Sequence, residues 1–138
     1  MGGPGIPARP GRARAYREDG LWGDDTLHAL LARNAKRTPE REAVVDQPNK
    51  AELMGAAPRR LTLDELDRMS TACARELRDR GLVAGDRVLL QLPNTAELIV
   101  LYYALSKLGV IISPIAVQYG RHEIRHFARE LAPAAFLT

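Results

Sequence analysis

The sequence predicts an α/β fold: a partial doubly wound parallel sheet with flanking helices and a short antiparallel hairpin near the start. Three observations carry this reading. Val88 to Leu92 and Val110 to Ile115 are short, nearly continuous apolar runs, the pattern of strands buried on both faces. Helical segments fall between and after these runs. The resulting order of strand, helix, strand, helix, strand, with short connections, demands parallel pairing through right-handed crossovers.

Bulk composition suits one domain or part of one: 138 residues, 46% apolar and 27% charged. The net charge of +3 is carried by the start of the chain, where Arg9, Arg12, Arg14 and Arg17 precede the first acid, Glu18. Tyr16 is the only aromatic beside those arginines, so no nucleic-acid partner is expected. Gly2, Gly3, Pro4, Pro7, Pro10 and Gly11 mark 1–20 as a disordered leader, with the folded part at 21–138. The leader has no apolar run of the secretory kind, and its arginines give only a faint transit-peptide likeness. Cys73 is the sole cysteine, which excludes an intrachain disulfide and points to a reducing, cytoplasmic setting. Its place in an apolar helical stripe suggests an inert core thiol. Leu98 to Val117 could be mistaken for a membrane span. However, Lys107 near its centre would cost about 2.5–3.5 kcal/mol on insertion scales, and Gly109 and Pro114 interrupt it.

Thr26 can cap a helix running to about Arg37, with Leu27, Leu30 and Leu31 on one side and Thr38-Pro39 as its stop. Ala43 to Asp46 and Arg59 to Leu61 read as two short strands of a hairpin, joined by an irregular tip at 47–58. Thr62-Leu63-Asp64-Glu65 is a capping box that opens a helix to Arg80. That helix places Leu63, Leu66, Met69, Cys73 and Leu77 on one stripe, and Gly81 supplies its left-handed stop. After the first buried strand, Asn94 with Glu97 should cap a helix that Gly109 ends. This helix is apolar almost all round, so it needs cover on both sides. The visible elements would bury one side and leave the other exposed. A further helix spans about Arg121 to Leu131, and Ala134 to Leu137 begins the third strand.

Candidate chemistry is sparse. His122-Glu123-Ile124-Arg125-His126 matches the His-Glu-x-x-His pattern of zinc peptidases on a helical segment. Yet the two histidines lie about 40° apart on the wheel. Ile124, Phe127, Ala128 and Leu131 occupy the opposite, core-facing side, so the histidines should point to solvent. Glu130 is the one acid after His126 and sits on the same helix, which leaves no third ligand from another element. Asp24 and Asp25 precede a helix, where its dipole favours acids, and read as capping residues. No glycine-rich phosphate loop and no nucleophile elbow is present. Pro93-Asn94 and Pro114 to Gln118, at the carboxyl ends of two parallel strands, are candidates on fold grounds alone.

In order, Leu61-Thr62-Leu63-Asp64-Glu65-Leu66, Gly85-Asp86-Arg87-Val88, Leu92-Pro93-Asn94 and Leu105-Ser106-Lys107-Leu108-Gly109 through Pro114 resemble the opening of adenylate-forming ligases of the acyl-CoA synthetase type. Leu63 departs from the usual tyrosine, while Lys107 and Gly109 match the family's lysine-x-glycine. Leu21 to Leu27 and Tyr119 to Ile124 are similar to ligases that load alicyclic or aromatic acids onto coenzyme A. The resemblance runs from Leu21 to Thr138 and corresponds to about the first quarter of a full-length member. It implies ATP, magnesium and coenzyme A as cofactors, a carboxylic acid substrate, an acyl adenylate intermediate and the remainder of the ligase domain as partner. It also implies that the catalytic, cofactor-binding and metal-binding residues lie downstream, so none is assigned here and the isolated chain is expected inactive. The alternatives are a self-contained α/β ligand-binding or interaction module and, on the histidine motif alone, a zinc peptidase.

Overall fold

The computed structural model describes residues 10–138. In chain order these form α1 (Pro10–Glu18), α2 (Leu27–Arg37), β1 (Glu42–Val45), α3 (Lys50–Met54), β2 (Arg60–Thr62), α4 (Leu63–Asp79), β3 (Arg87–Leu90), α5 (Ala96–Leu108), β4 (Ile111–Pro114), α6 (Arg121–Leu131) and β5 (Ala135–Leu137). β1 and β2 pair antiparallel as the expected hairpin. The remaining strands make a parallel sheet in the order β4-β3-β5, the doubly wound arrangement expected.

Local signals account for most boundaries. Thr26 caps α2 by accepting from the Ala29 N–H at 3.2 Å. At the start of α4, Thr62 Oγ1 accepts from the Glu65 N–H at 3.2 Å and the Glu65 carboxylate accepts from the Thr62 N–H at 2.9 Å, a complete capping box. Gly81 and Gly109 take the left-handed conformation, with φ of 97° and 70°, beyond the ends of α4 and α5. At Gly109 a side chain would also meet Ala84 Cβ at 3.3 Å.

α5 is the middle layer. One side packs on the sheet and α4 through Ala104, Leu105, Val88, Val110, Ala74 and Leu77. Another packs on α2, β2 and α4 through Ala96, Val100, Leu31, Leu61 and Leu66. The exposed flank expected for this helix is therefore covered by α4 and α2, which lie against it as a third layer. No helix among the described residues is long and apolar enough to cross a membrane.

Other expectations are corrected. The leader expected to be disordered over 1–20 contains α1; its alternating arginines and alanines are good helix formers, and Pro10 sits in the first turn where proline is tolerated. Residues 1–9 lie outside the described residues. The irregular hairpin tip contains α3. In α2 the buried residues are Leu31 and Ala35, while Leu27 and Leu30 are exposed. In α4 the fully buried stripe is Leu66, Ser70, Ala74 and Leu77, with Leu63, Met69 and Cys73 at its margin. β3 is buried throughout Val88 to Leu90, but β4 is only half-buried because it is an edge strand. Thr62→Ala is expected to destabilise the chain by about 1 kcal/mol through loss of the α4 cap. A shift in the urea midpoint at constant slope would register it.

Candidate functional site

In a parallel sheet ligands bind in the crevice outside the carboxyl ends of the strands, and here the ends of β3 and β4 lie side by side. A crevice of about 430 Å3 lies there, lined by Leu92, Pro93, Asn94, Leu98 and Tyr102, by 114–118, and by Gln47 from the hairpin tip. The two candidate segments, Pro93-Asn94 and Pro114 to Gln118, are thus brought together. No charged side chain lines the crevice.

Gln91, which the sequence shows only as a polar interruption of an apolar run, shapes this mouth. Its Nε2 donates to the carbonyls of Ala116 and Tyr119, each at 2.9 Å, and so pins the loop after β4. Its backbone N–H donates to Leu137 O at 2.9 Å and extends the pairing with β5. A lone amide in a strand otherwise fully apolar was the available signal.

Beside the crevice lies a buried ionic cluster absent from the sequence reading. Lys50 is 1% exposed and Asp46 5% exposed. Lys50 Nζ donates to Asp46 Oδ2 at 2.8 Å and to both Glu97 oxygens at 2.9 and 2.8 Å. Asp46 Oδ2 also accepts from the Arg59 N–H at 2.9 Å, and Oδ1 from the Ala96 N–H at 2.7 Å. This last bond corrects the expected Asn94 cap. Thr95 is the residue at the N-cap position, its side chain makes no cap bond, and a carboxylate from β1's end satisfies the first turn of α5 instead. Burial pushes the Asp46 carboxyl up, but hydrogen bonds from Lys50 and from the two backbone N–H groups outweigh it and hold Asp46 below its ordinary value. Glu97 is likewise lowered, with burial opposing and Lys50 prevailing. Lys50 is raised by its bonds to Asp46 and then Glu97.

Lys107 makes a second polar tie. Its Nζ lies within 2.7–2.9 Å of the Asp67 carbonyl, Asp67 Oδ1, Ser70 Oγ and Thr71 Oγ1, and so joins α5 to α4.

The histidine motif assembles no comparable centre. His122 and His126 are exposed on α6, as the wheel predicts, and Ile124, Phe127, Ala128 and Leu131 form the half-buried side. Glu123 is engaged at its own helix start, accepting from the Gly120 N–H at 2.9 Å. Hydrogen bonds from the backbone N–H groups of Glu123 and Gly120 lower its pKa. Among the described residues no three metal-ligating side chains converge. Asp25 pairs with Arg33 through two contacts of 3.1 Å, Asp24 is exposed, and Thr26 does the capping. Burial, with Glu76 adding, raises the pKa of the half-buried Cys73 thiol above its ordinary value.

Two outcomes follow from these environments. Added zinc is expected to leave the melting temperature unchanged, and a rise abolished by changing His122 and His126 would contradict that. The second concerns acid. Asp46 and Glu97 have folded pKa values below their unfolded ones, so their stabilisation is present above about pH 4 and is lost as pH falls through the lowered values. Melting temperatures measured from pH 6 downward should therefore drop below about pH 4, and the drop should shrink in Asp46→Asn.

The family described as AMP-binding enzyme matches residues 31–138 of this chain. The salicyl-AMP ligase / salicyl-S-ArCP synthetase of Mycobacterium tuberculosis is 36% identical over 123 residues, covering 89% of this chain and 21% of that protein. The medium-chain fatty-acid–CoA ligase of Escherichia coli is 33% identical over 113 residues, covering 82% of this chain and 18% of that protein. The apo structure of MbtA from Mycobacterium smegmatis superposes with a TM-score of 0.77 at 34% identity, covering 98% of this chain and 23% of that one. The chain thus spans about a fifth of the length of the curated relatives it matches. With the family match running over 31–138, from within α2 through β5, and a solved relative superposing over 98% of this chain, the chain belongs to the AMP-binding enzyme family.

Proposed function

We propose that this chain is one part of an adenylate-forming ligase that activates a carboxylic acid with ATP and magnesium, releases pyrophosphate and passes the acyl group to a thiol, with coenzyme A as the acceptor. The observation that carries this reading is the family match over 31–138. The ligase relatives support it, one named for salicyl-AMP formation and one for joining a fatty acid to CoA. The lone, half-buried Cys73 suits the cytoplasm as the location.

The crevice does not fit the nucleotide. A magnesium triphosphate needs cationic side chains, backbone N–H groups of a glycine-rich loop and carboxylates for the metal, and the crevice lining supplies no charged group. We therefore give no residue of this chain a catalytic, cofactor-binding or metal-binding role. The chain supplies folded framework: the layer of α2, α4 and α5 and the strands they cover. Coenzyme A and the nucleotide belong to the remainder of the ligase domain in this reading.

Acid-dependent exchange of labelled pyrophosphate into ATP by the whole ligase containing this segment, across aromatic and aliphatic acids, is the expected result. No exchange with any acid would overturn the reading. The 138-residue chain alone is expected to show none. Pyrophosphate release by it would overturn the assignment of catalysis elsewhere.

A further inference from the structure

Residues 47–58 connect the two strands of the hairpin, and together with Arg59 and Arg60 they are exposed with one exception: Lys50, 1% exposed, in a stretch where the apolar Leu53 and Met54 stand 65% and 40% exposed. This inverts the usual arrangement, in which apolar groups anchor a loop and lysines face water. The backbone hydrogen bonds inside the segment are local. Lys50 N–H donates to Gln47 O, Leu53 N–H to Asn49 O and Gly55 N–H to Ala51 O. Its ends are closed by the Asp46 N–H to Arg59 O bond at 2.9 Å and by the Arg59 N–H to Asp46 Oδ2 bond. Between those ends, the one side chain sunk into the body of the molecule is Lys50, whose ammonium grips Asp46 and Glu97.

We propose that 47–58 is a hinged strap whose one buried tie to the first turn of α5 is Lys50, beside a looser, exposed Arg59–Glu97 pair at 3.7 Å at the hinge, and that releasing the Lys50 latch lets the strap leave the Gln47 side of the crevice while the layers beneath stay folded. A segment with one anchor and no buried apolar side chain opens at low free energy compared with the core. The hinge is the β1–β2 end, where the Asp46–Arg59 bonds persist. The latch is ionic, so its strength depends on both acids, and Glu97 is the leg that connects the strap to α5. Gln47 and Asn94 both line the crevice, which makes the strap's position a determinant of the crevice's width.

The test is amide hydrogen exchange read by mass spectrometry on the purified chain, comparing wild type with Lys50→Met and Glu97→Gln. Exchange in 47–58 is expected to rise at least tenfold in Lys50→Met and by a smaller factor in Glu97→Gln, which keeps one leg. The lip at 92–95 should follow the strap, while α4 and β3 keep wild-type protection. Lys50→Arg should recover part of the protection in 47–58, since a guanidinium retains the charge. Unchanged exchange in 47–58 would overturn the proposal, and so would equal acceleration in α4 and β3, which would make Lys50 an ordinary core support. Should Lys50→Met fail to fold, Glu97→Gln decides, because Glu97 is partly exposed and its amide is nearly isosteric: no change in 47–58 in that variant overturns the latch.

Discussion

One carboxylate takes three donors from three parts of the chain. Asp46 accepts from the Lys50 ammonium in the strap, from the Arg59 N–H at the start of the returning strand and from the Ala96 N–H at the start of α5. Of these donors the Ala96 N–H is buried and would otherwise lack a partner, which costs more than a hydrogen bond contributes when made. The negative charge also stands at the positive end of the α5 dipole. Asp46 therefore ties the hairpin, the strap and the helix that forms the middle layer into one arrangement. The pair with Lys50 need not add much net stability, since desolvating both ions offsets their attraction. What it contributes is position.

From that fixed start α5 runs through the centre of the molecule, and its composition suits the place. Ala96 and Ala104 are fully buried and small, so neighbouring helices approach closely, while Val100 and Leu105 fill the space between layers. At the far end Lys107 reaches across to Asp67, Ser70 and Thr71. A lysine that reads in the sequence as an obstacle to membrane insertion is in the structure the cation that joins α5 to α4. Its alkyl stem lies along the helix surface and its charge is satisfied by four oxygens.

How far the sequence disclosed this depends on the range of the forces involved. The capping box, the stops at Gly81 and Gly109, and the wheel of α6 are decided within a few residues, and they were legible. The cap of α5 was misassigned to Asn94 because its true partner is 50 residues away, and no local pattern announces a carboxylate arriving from another strand. Lys50 carries no local signal for the same reason, since burial of a lysine depends on partners that only the fold brings together. Gln91 was visible as an anomaly but its three carbonyl neighbours were not. The crevice's place follows from the carboxyl ends of two parallel strands, β3 and β4, and its uncharged lining could be known only from which side chains turn inward.

The two faces of the parallel sheet differ in a way that bears on what surrounds it. In register, Val88 stands beside Ile112 and Ala135 on the face that α5 covers, where Val88 has no exposed surface. The alternate residues, Leu89 beside Ser113 and Phe136, point to the other face. Only Leu89 is fully enclosed there, and Phe136 is 41% exposed. α6 is strongly amphipathic, yet none of its residues is fully buried. The crossover from β3 to β4 through α5 and the one from β4 to β5 through α6 run in opposite directions across the sheet, so right-handedness places α5 and α6 on opposite faces, and α6 is the cover for this second face. Three strands nearly 5 Å apart span about 10 Å between the outer axes, so one helix about 10 Å wide reaches the outer strands only at its flanks and leaves their outer edges open. The apolar side chains left open are therefore at opposite edges of the sheet: Phe136 on β5, 41% exposed, and Val117 and Tyr119 just beyond β4, 52% and 41% exposed.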